Sequence, residues 1–212
     1  MMHPNTELRK VNDIIGYGVF ALVDIPKGTI LYVKDPMEIE VSPEQFAAMD
    51  PQYQKVVEWF SWIDSRGYRN VSWDIGKYVN HSCDANCITT GFGFEIAARD
   101  IPAGTEITDD YGIFNMPFSM KCSCGCENCR GTISKDDWDA NYPVWDKKAE
   151  EALECFGQVA QPLVTFMDKQ TYQDLMNYLN VKHSYPSILN NRVVEIKHST
   201  VSEIKNRLSL QR

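Results

Sequence analysis

The stretch YVNHSCDANC, residues 78–87, places an amide, an imidazole and a thiol within four positions, at Asn80, His81 and Cys83. Side chains of these types so close together are typical of a metal corner, of a nucleophile with its base, or of a ligand pocket. The stretch alone leaves these three interpretations open, and the rest of the chain has to separate them.

The bulk composition describes an ordinary globular protein with an acidic balance. The chain has 212 residues, of which 43% are hydrophobic and 24% charged, and its net charge is 21 − 29 = −8. This length allows one large domain, or one domain with a smaller one appended. We expect no direct nucleic-acid binding and a basic peptide as the better partner, because the net charge is negative. The simpler interpretation is that the charge only confers solubility.

The sequence carries no sign of a membrane or secretory protein. No apolar run reaches the roughly 18 residues that span a bilayer, and the first residues, MMHPNTELRKVNDII, lack the apolar core and cleavage site of a signal peptide. We therefore expect no membrane association and an intracellular location, cytoplasmic or nuclear.

Seven cysteines are present, and four of them fall within the eight residues CSCGCENC. An odd and clustered set favours metal binding over a disulfide framework. Cys122, Cys124 and Cys129 form C-x-C-x4-C, and thiolates suit Zn²⁺, which takes four ligands. Cys83 is the best supplier of the fourth, although Cys126 lies inside the loop and can compete. A redox pair is disfavoured, because no C-x-x-C opens a helix beside a βαβ pattern.

One short pattern occurs twice, in VDIPKGT (23–29) and RDIPAGT (99–105). Ile-Pro-x-Gly suits a tight turn with proline second and glycine fourth. Apolar, β-branched or aromatic stretches flank both copies, so we predict two strand–turn–strand units and a first half built from short strands. Two coincidental hairpins would explain the pattern equally well.

Two regions predict helices. Residues 43–64 mix helix formers with aromatics and predict one or two short helices, interrupted near Pro51. From about residue 137 the pattern becomes helical and predicts about three helices. The spacing of one apolar helix face recurs in residues 149–159, 172–179 and 201–208, the last with a capping box of Thr200 and Glu203.

Two weaker signals complete the set. Gly16 and Gly18 precede a strand in IIGYGVF, where a G-x-G is either a bend or a point of close backbone approach to a ligand. Tyr111, in EITDDYGIF, follows a strand and an acidic pair. Such a tyrosine commonly packs in the core, and a functional tyrosine needs a pocket.

Five stretches, taken in their order along the chain, resemble the SET-domain protein lysine methyltransferases with a post-SET zinc motif. These stretches are GYGVFA, DIPKGT, KYVNHSCDANC, RDIPAGTEITDDYG and CSCGCENCRG. The resemblance covers about residues 11–131. It implies an α+β fold, mainly β, in which short strands are threaded as a pseudoknot. It divides the chain into a SET domain (1–119, with a helical and aromatic insert at about 38–70), a post-SET zinc segment (120–131) and a helical C-terminal region (132–212).

The resemblance also implies an activity, the transfer of a methyl group from S-adenosyl-L-methionine to the side-chain amine of a lysine in a protein, such as a basic histone-like tail. Tyr111 matches the catalytic tyrosine. The residues that match the cofactor site are Gly16, Tyr17, Gly18, Tyr78, Asn80, His81 and Tyr111. The residues that match the zinc ligands are Cys83, Cys122, Cys124 and Cys129.

The chain departs from the family at Asp109, where a phenylalanine or tyrosine normally stands two positions before the catalytic tyrosine. A carboxylate there attracts the substrate ammonium and keeps it charged, which opposes attack and leaves the number of methyl groups open. The alternative is a SET-like binding or scaffold module that holds zinc and a protein partner without catalysis. Tyr32, Phe60 and Tyr68 are, with Asp109, candidates for the lysine channel. The helical region is expected to pack on the core near the peptide groove, or to pair with a second copy as a dimer.

Overall fold

The computed structural model describes residues 1–181 and 184–193. They form an α+β fold built mainly from small antiparallel sheets, with four α-helices and several 3₁₀ turns, which confirms the predicted fold class. None of the helices within the described residues has the length and apolar content to cross a membrane. The helix predicted over 201–208, with its capping box, lies outside the described residues.

The elements are short and follow one another closely. The strands are β1 (Thr6–Asn12), β2 (Gly16–Ala21), β3 (Ile30–Tyr32), β4 (Ile39–Val41), β5 (Ser61–Ile63), β6 (Arg69–Val71), β7 (Asn80–His81), β8 (Cys87–Thr89), β9 (Glu95–Ala97), β10 (Glu106–Asp109), β11 (Met120–Lys121) and β12 (Thr132–Ile133). The helices are α1 (Pro43–Ala48), α2 (Pro51–Phe60), α3 (Asp137–Leu153) and α4 (Lys169–Val181). The sheet orders are β1-β2-β10-β7, β3-β9-β8, β4-β6-β5 and β11-β12.

Strand β10 lies between strands that are far from it in sequence. It pairs antiparallel with β2 and parallel with β7, where Thr108 faces Asn80 and Asp109 faces His81. The side chain of Asn86, only 4% exposed, donates to the Glu106 carbonyl at 2.8 Å and accepts from the Thr108 N–H at 2.9 Å. Asn86 therefore acts as a third partner for the strand and sets its register.

The two Ile-Pro-x-Gly turns pack against each other. Ile25 and Ile101 exchange both backbone hydrogen bonds, at 2.9 and 2.8 Å. Each turn also donates a backbone N–H to the aspartate that precedes the other turn, from Lys27 to Asp100 and from Ala103 to Asp24, both at 2.8 Å. The repeat is therefore a pair of interlocked turns, and its flanking strands do not form two hairpins: β2 pairs with β1 and β10, whereas β3 pairs with β9.

The predicted turn position is wrong by one residue. In the first copy the closing hydrogen bond runs from the Thr29 N–H to the Pro26 carbonyl at 3.2 Å, and in the second from Thr105 to Pro102 at 3.1 Å. Glycine therefore occupies the third position, with φ of +89° at Gly28 and +80° in the second copy. The Gly28 N–H is not free to close the earlier turn, because it donates to the Ala97 carbonyl at 2.9 Å.

The insert contains the two predicted helices on either side of Pro51. Ser42 and Gln45 form a capping box for α1, and Asp50 caps α2, in which Pro51 is the first residue. The insert also holds the sheet β4-β6-β5, which the sequence pattern did not predict. Strands of three residues are too short to display an alternation of apolar and polar side chains.

The C-terminal region packs on the core, which is one of the two arrangements that the sequence analysis expected. Helix α3 begins at Asp137 and ends at Leu153, so the segment 149–159 is divided between this helix and a 3₁₀ turn at Phe156–Gln158. Helix α4 contains the predicted segment 172–179. The buried face of α3 joins one hydrophobic cluster with the central strands, through Trp138, Trp145, Ala149, Ala152 and Leu153. Pairing with a second copy stays a prediction.

The two turn glycines offer a matched test of how the C-terminal region is held. Both have positive φ, so replacement with alanine strains each backbone by roughly 1 to 2 kcal/mol. A Cβ at Gly28 would also lie 2.7 Å from the Cβ of Cys155 and 2.8 Å from the Ala152 carbonyl, whereas at Gly104 the nearest atom is 3.9 Å away. We expect Gly28→Ala to reduce the free energy of unfolding by about 1 to 3 kcal/mol more than Gly104→Ala, measured by urea denaturation. Equal losses would contradict close packing of the C-terminal region on this turn.

Candidate active site

A cleft of about 650 Å³ opens between the β1–β2 turn, the end of α2, and the ends of β7 and β10. It is lined by five of the residues predicted for the cofactor: Gly16, Tyr17, Tyr78, Asn80 and Tyr111. Three of the predicted channel residues, Tyr32, Phe60 and Asp109, line the same cleft. The volume lies within the range of small-molecule sites.

The two glycines serve different purposes. Gly16 has φ of +86° and an unobstructed Cβ position, so this position needs glycine for its backbone conformation. Gly18 does not line the cleft. A Cβ there would lie 2.2 Å from the Glu106 carboxylate and 2.9 Å from the Asn80 amide, so glycine makes room for these side chains. Asn80 in turn donates to the Tyr17 carbonyl at 3.0 Å and to Glu106 at 2.7 Å.

Aromatic rings form much of one wall. The ring of Tyr78 meets Tyr17 and Phe60 edge to face, with centroids 6.3 and 5.6 Å apart. Tyr68, by contrast, lines neither this cleft nor the smaller cavity beside it. It stands next to β6, and the Arg66 guanidinium covers its ring at 4.5 Å, so its assignment to the channel stays a prediction without a place in either space.

Tyr111 begins a 3₁₀ turn directly after β10. Its hydroxyl donates to the Val79 carbonyl at 2.7 Å, which fixes the ring in the wall of the cleft. Burial raises the pKa of the Tyr111 hydroxyl, and the nearby Asp109 carboxylate adds to this effect. The hydroxyl therefore stays protonated at neutral pH and acts as a hydrogen-bond donor.

His81 is turned away from the cleft and does not line it. Its Nδ1 accepts from the Tyr111 N–H at 3.1 Å, and its Nε2 lies 3.4 Å from the Cys83 sulfur. Burial lowers the pKa of His81, so the ring is neutral at neutral pH, as an accepting Nδ1 requires. The imidazole thus connects the catalytic candidate with the cysteines.

Three of the four predicted metal ligands converge. Ligand atoms of Cys83, Cys122, Cys124 and His81 all lie within 4.8 Å of one another. The sulfurs of Cys83 and Cys122 are 3.7 Å apart. Cys129, whose sulfur is 3.9 Å from the Cys122 carbonyl, lies beside this group. Cys126 lies on its other side, 3.4 Å from Cys124.

A charged link that sequence reasoning missed attaches the cysteine loop to the cleft. Asp110, 3% exposed, accepts from Arg130 at 3.0 Å, with a second, closer contact to the same guanidinium, and from the Trp145 indole at 3.0 Å. The backbone N–H of Arg130 also points at the Cys83 sulfur, at 3.4 Å. The available signal was the acidic pair before Tyr111 and the arginine directly after the last loop cysteine.

A buried acidic cluster lies at the bottom of the cleft. Ligand atoms of Cys87, Glu95 and Asp109 are within 4.8 Å of one another, and the Cys87 sulfur is 3.5 Å from the Glu95 carboxylate. Burial raises the pKa of Asp109 well above its usual value, and the Glu95 charge raises it further. Burial likewise raises the pKa of Glu95, to about 7. The sequence drew attention to Asp109 but not to Glu95, because one charge between apolar strand residues is typical of a solvent-facing position.

A second cavity of about 220 Å³ adjoins the cleft. Residues that line both are Tyr32, Trp62, Ile63, Glu95 and Phe114, so one layer of side chains separates the two spaces. The far side of the smaller cavity is lined by the C-terminal region, through Met167, Asp168 and Thr171.

Comparison with known proteins finds a family match over the part of the chain that contains most of the cleft residues. Residues 16–112 match the family model of the SET domain. The chain is 39% identical over 81 residues to histone-lysine N-methyltransferase ASHR3 of Arabidopsis thaliana, across 34% of this chain and 16% of that protein. It is 35% identical over 89 residues to histone-lysine N-methyltransferase mes-4 of Caenorhabditis elegans, across 34% and 10%. The matched stretches are thus a small part of these relatives.

Among solved structures, the methyltransferase domain of human histone-lysine N-methyltransferase SETMAR matches with a TM-score of 0.43 and 18% identity, over 63% of this chain and 58% of that one. By sequence, the chain is similar to histone-lysine N-methyltransferases over about a third of its length, at modest identity.

The link between Asp110 and Arg130 can be tested against an exposed ion pair. The side chains of Arg130 and Asp110 are 19% and 5% exposed, whereas those of Arg99 and Asp84 are 48% and 54% exposed. We expect Arg130→Met to lower the free energy of unfolding by about 3 kcal/mol, since it leaves a buried carboxylate unpaired, and Arg99→Met by at most about 1 kcal/mol. Thermal denaturation at one pH measures both. Similar losses would show that Arg130 does not anchor the loop.

Proposed function

We propose that the cleft is the active site of an S-adenosyl-L-methionine-dependent protein lysine N-methyltransferase. The observation that carries the proposal is the Tyr111 hydroxyl, held on the Val79 carbonyl in the wall of a cleft that Gly16, Tyr17 and Asn80 also line. These residues stand in the order in which the resemblance placed them, and the match to the SET domain covers all of them.

The cleft fits the cofactor in size and chemistry. Its volume suits a ligand of that size, and the rings of Tyr17, Tyr78 and Phe60 offer faces and edges for an adenine. Gly16, with its positive φ, gives the turn at the mouth of the cleft a backbone conformation that other residues rarely adopt. When bound, S-adenosyl-L-methionine supplies an activated methyl group on a sulfonium.

The protein's own part in the reaction is to bind, to orient and to adjust charge. A lysine amine has to be neutral to attack, although its unperturbed pKa is about 10.4. A narrow channel between aromatic side chains lowers that pKa by desolvation and aligns the amine with its target. The Tyr111 hydroxyl stays protonated and donates its proton to the Val79 carbonyl, so its oxygen offers lone pairs to a group that enters the cleft.

The thiol cluster fits a structural zinc ion. Cys83, Cys122 and Cys124 supply three soft sulfur donors at close range, and Cys129 is the proposed fourth ligand. Zinc there would fix the post-SET segment (120–131) against the NHSC stretch, on the side of His81 away from the cleft. The proposed division into a SET domain (1–119), this segment and a C-terminal region (132–212) assigns the first two to the chemistry. The third, whose residues line the second cavity, is assigned to substrate binding.

The proposed substrate is a lysine-bearing protein with a basic segment, such as a histone tail. The net charge of −8 favours a basic partner, and the relatives named above carry histone-lysine N-methyltransferase in their names. A nuclear or cytoplasmic location accords with such a substrate. Asp109, in place of an aromatic residue, favours a second candidate, a SET-like binding module without catalysis. Incubation with radiolabelled cofactor and core histones, followed by location of the label by mass spectrometry, distinguishes the two.

Tyr111→Phe removes one hydroxyl and leaves the ring in place. We expect turnover to fall by about 10²-fold or more, close to 2.7 kcal/mol of transition-state stabilisation, with little change in cofactor affinity. Tyr53→Phe is the control, because Tyr53 is 70% exposed. Methyl transfer measured for both variants, with calorimetry for the cofactor, makes the comparison. Undiminished turnover in Tyr111→Phe would remove the support for its catalytic assignment.

The zinc content of cysteine variants distinguishes the cysteines that bind the metal from those that do not. We expect one zinc ion per chain, lost in Cys83→Ser and retained in Cys155→Ser and Cys87→Ser, as measured by atomic emission. Loss of the metal should also weaken cofactor binding, because the free energy of zinc binding is what holds so small a loop in its folded conformation. Full zinc content in Cys83→Ser together with loss in Cys126→Ser would overturn the ligand assignment and place Cys126 in the site.

A further inference from the structure

We propose that Glu95 and Asp109 form a proton-sharing carboxyl pair that accepts the proton of the target lysine ammonium. This inference rests on the proposed methyltransferase function and adds to it a proton acceptor at the bottom of the cleft. It also changes what Asp109 does, because a paired carboxyl removes a proton from the amine where a single carboxylate would hold the ammonium in its charged form.

The geometry brings the two carboxyl groups to one place from different sheets. Asp109 ends β10, whose neighbour β7 carries Asn80, and Glu95 begins β9 in the sheet β3-β9-β8. Their oxygens lie within 4.8 Å of each other, and both residues line the cleft together with Tyr111. Glu95 also lines the second cavity, so it stands in the layer that separates the two spaces.

Asp109 has one oxygen in use and one available. Its Oδ1 accepts the Asp110 N–H at 2.6 Å, whereas its Oδ2 is buried and has no hydrogen-bond partner among the described residues. The residue is 1% exposed, and Glu95 is partly exposed. A buried carboxylate oxygen without a partner costs free energy unless a proton or a donor reaches it. The available donors are a proton shared with Glu95 and an amine that enters from the cleft.

Like charges decide the protonation state. Two carboxylates this close in a buried place cannot both ionise, so the pair retains one proton at neutral pH and carries one negative charge. The acidic groups around it are Tyr32, Glu38, Cys87, Asp110 and Tyr111, and His81, opposite Asp109 in the strand register, has a lowered pKa and is neutral. Among the described residues, the cations that line the two spaces are Lys34, Arg69 and Lys77, which contact Glu40, Glu58 and the Trp73 carbonyl. An incoming ammonium is therefore the cation that the cluster lacks.

The proton transfer balances without a further reactant. The ammonium enters with charge +1 and meets a pair of charge −1. One N–H bond breaks and one O–H bond forms on Glu95, which leaves a neutral amine beside a fully protonated, neutral pair. Desolvation favours this neutral arrangement over the ion pair. Glu95, with its pKa near 7, then releases the proton to water through the cleft before the next turnover.

The test compares the parent with Glu95→Gln and Asp109→Asn, which keep the side-chain shape but cannot exchange the proton. Methyl transfer to core histones is measured as kcat/KM from pH 6 to pH 10, with Glu44→Gln, on the exposed surface of α1, as the control. We expect the parent to reach a plateau near pH 7. Both variants should rise about tenfold per pH unit toward the pKa of lysine, with a loss on the order of 10³-fold at pH 7 that nearly disappears at pH 10.

A second measurement does not depend on turnover. Infrared absorption of the parent should show a protonated carboxyl band at pH 7 that disappears only when both residues are replaced, in the Glu95→Gln, Asp109→Asn double variant, while calorimetry shows unchanged binding of S-adenosylhomocysteine. An active parent whose variants lose the same factor at every pH, or that shows no protonated carboxyl at pH 7, would overturn the carboxyl pair alone. A parent that binds the cofactor but transfers no methyl group would overturn the proposed function and the inference with it.

Discussion

The parallel pairing of β10 with β7 is the constraint on which the rest of the site depends. A parallel pair needs a long crossover, and here residues 82–105 supply it, including both strands of the β8–β9 hairpin. Asn86 holds β10 from the side by replacing a strand partner with its own amide. This pairing sets His81 beside Asp109 and aims the Tyr111 hydroxyl at Val79. A shift of one residue would turn each of these side chains to the opposite face.

The same strand pairing places two adjacent carboxyl groups, Asp109 and Asp110, in the buried interior beside the cleft. Asp110 is balanced by Arg130 and by the Trp145 indole, so it costs little and fastens three separate parts of the chain together. Asp109, one residue earlier, forms no ion pair with a cation in the part of the chain that the structure describes, and instead lies near Glu95. Adjacent aspartates therefore have opposite consequences: one stabilises the fold, and the other leaves an unsatisfied group at the bottom of a cleft. Groups of the second kind are common at functional sites.

The C-terminal region is part of the core. Trp138 and Trp145 are buried in the same cluster as the strands β3, β8 and β9. Gln161 reinforces this contact, because its side chain accepts from the Ile30 N–H at 2.9 Å and donates to the Gly28 carbonyl at 2.7 Å. Met167, Asp168 and Thr171, which line one side of the second cavity, follow a few residues later in sequence. Support for the cleft and one wall of the smaller cavity are therefore supplied by the same part of the chain.

The sequence by itself determined the fold class, the helices on either side of Pro51, the convergence of Cys83 with the cysteine loop, and eight of the residues that line the cleft. The helices follow from local signals, because turn residues and helix periodicity act over a few positions, whereas the fold class and the cleft residues follow from the resemblance that the order of the motifs carries. Tertiary structure alone decided that the two Ile-Pro-x-Gly turns bond each other, that Tyr68 lies outside the cleft, and that Glu95 meets Asp109. Each of these depends on which strands become neighbours across long stretches of chain, and backbone pairing of that kind leaves no mark on the local pattern of side chains.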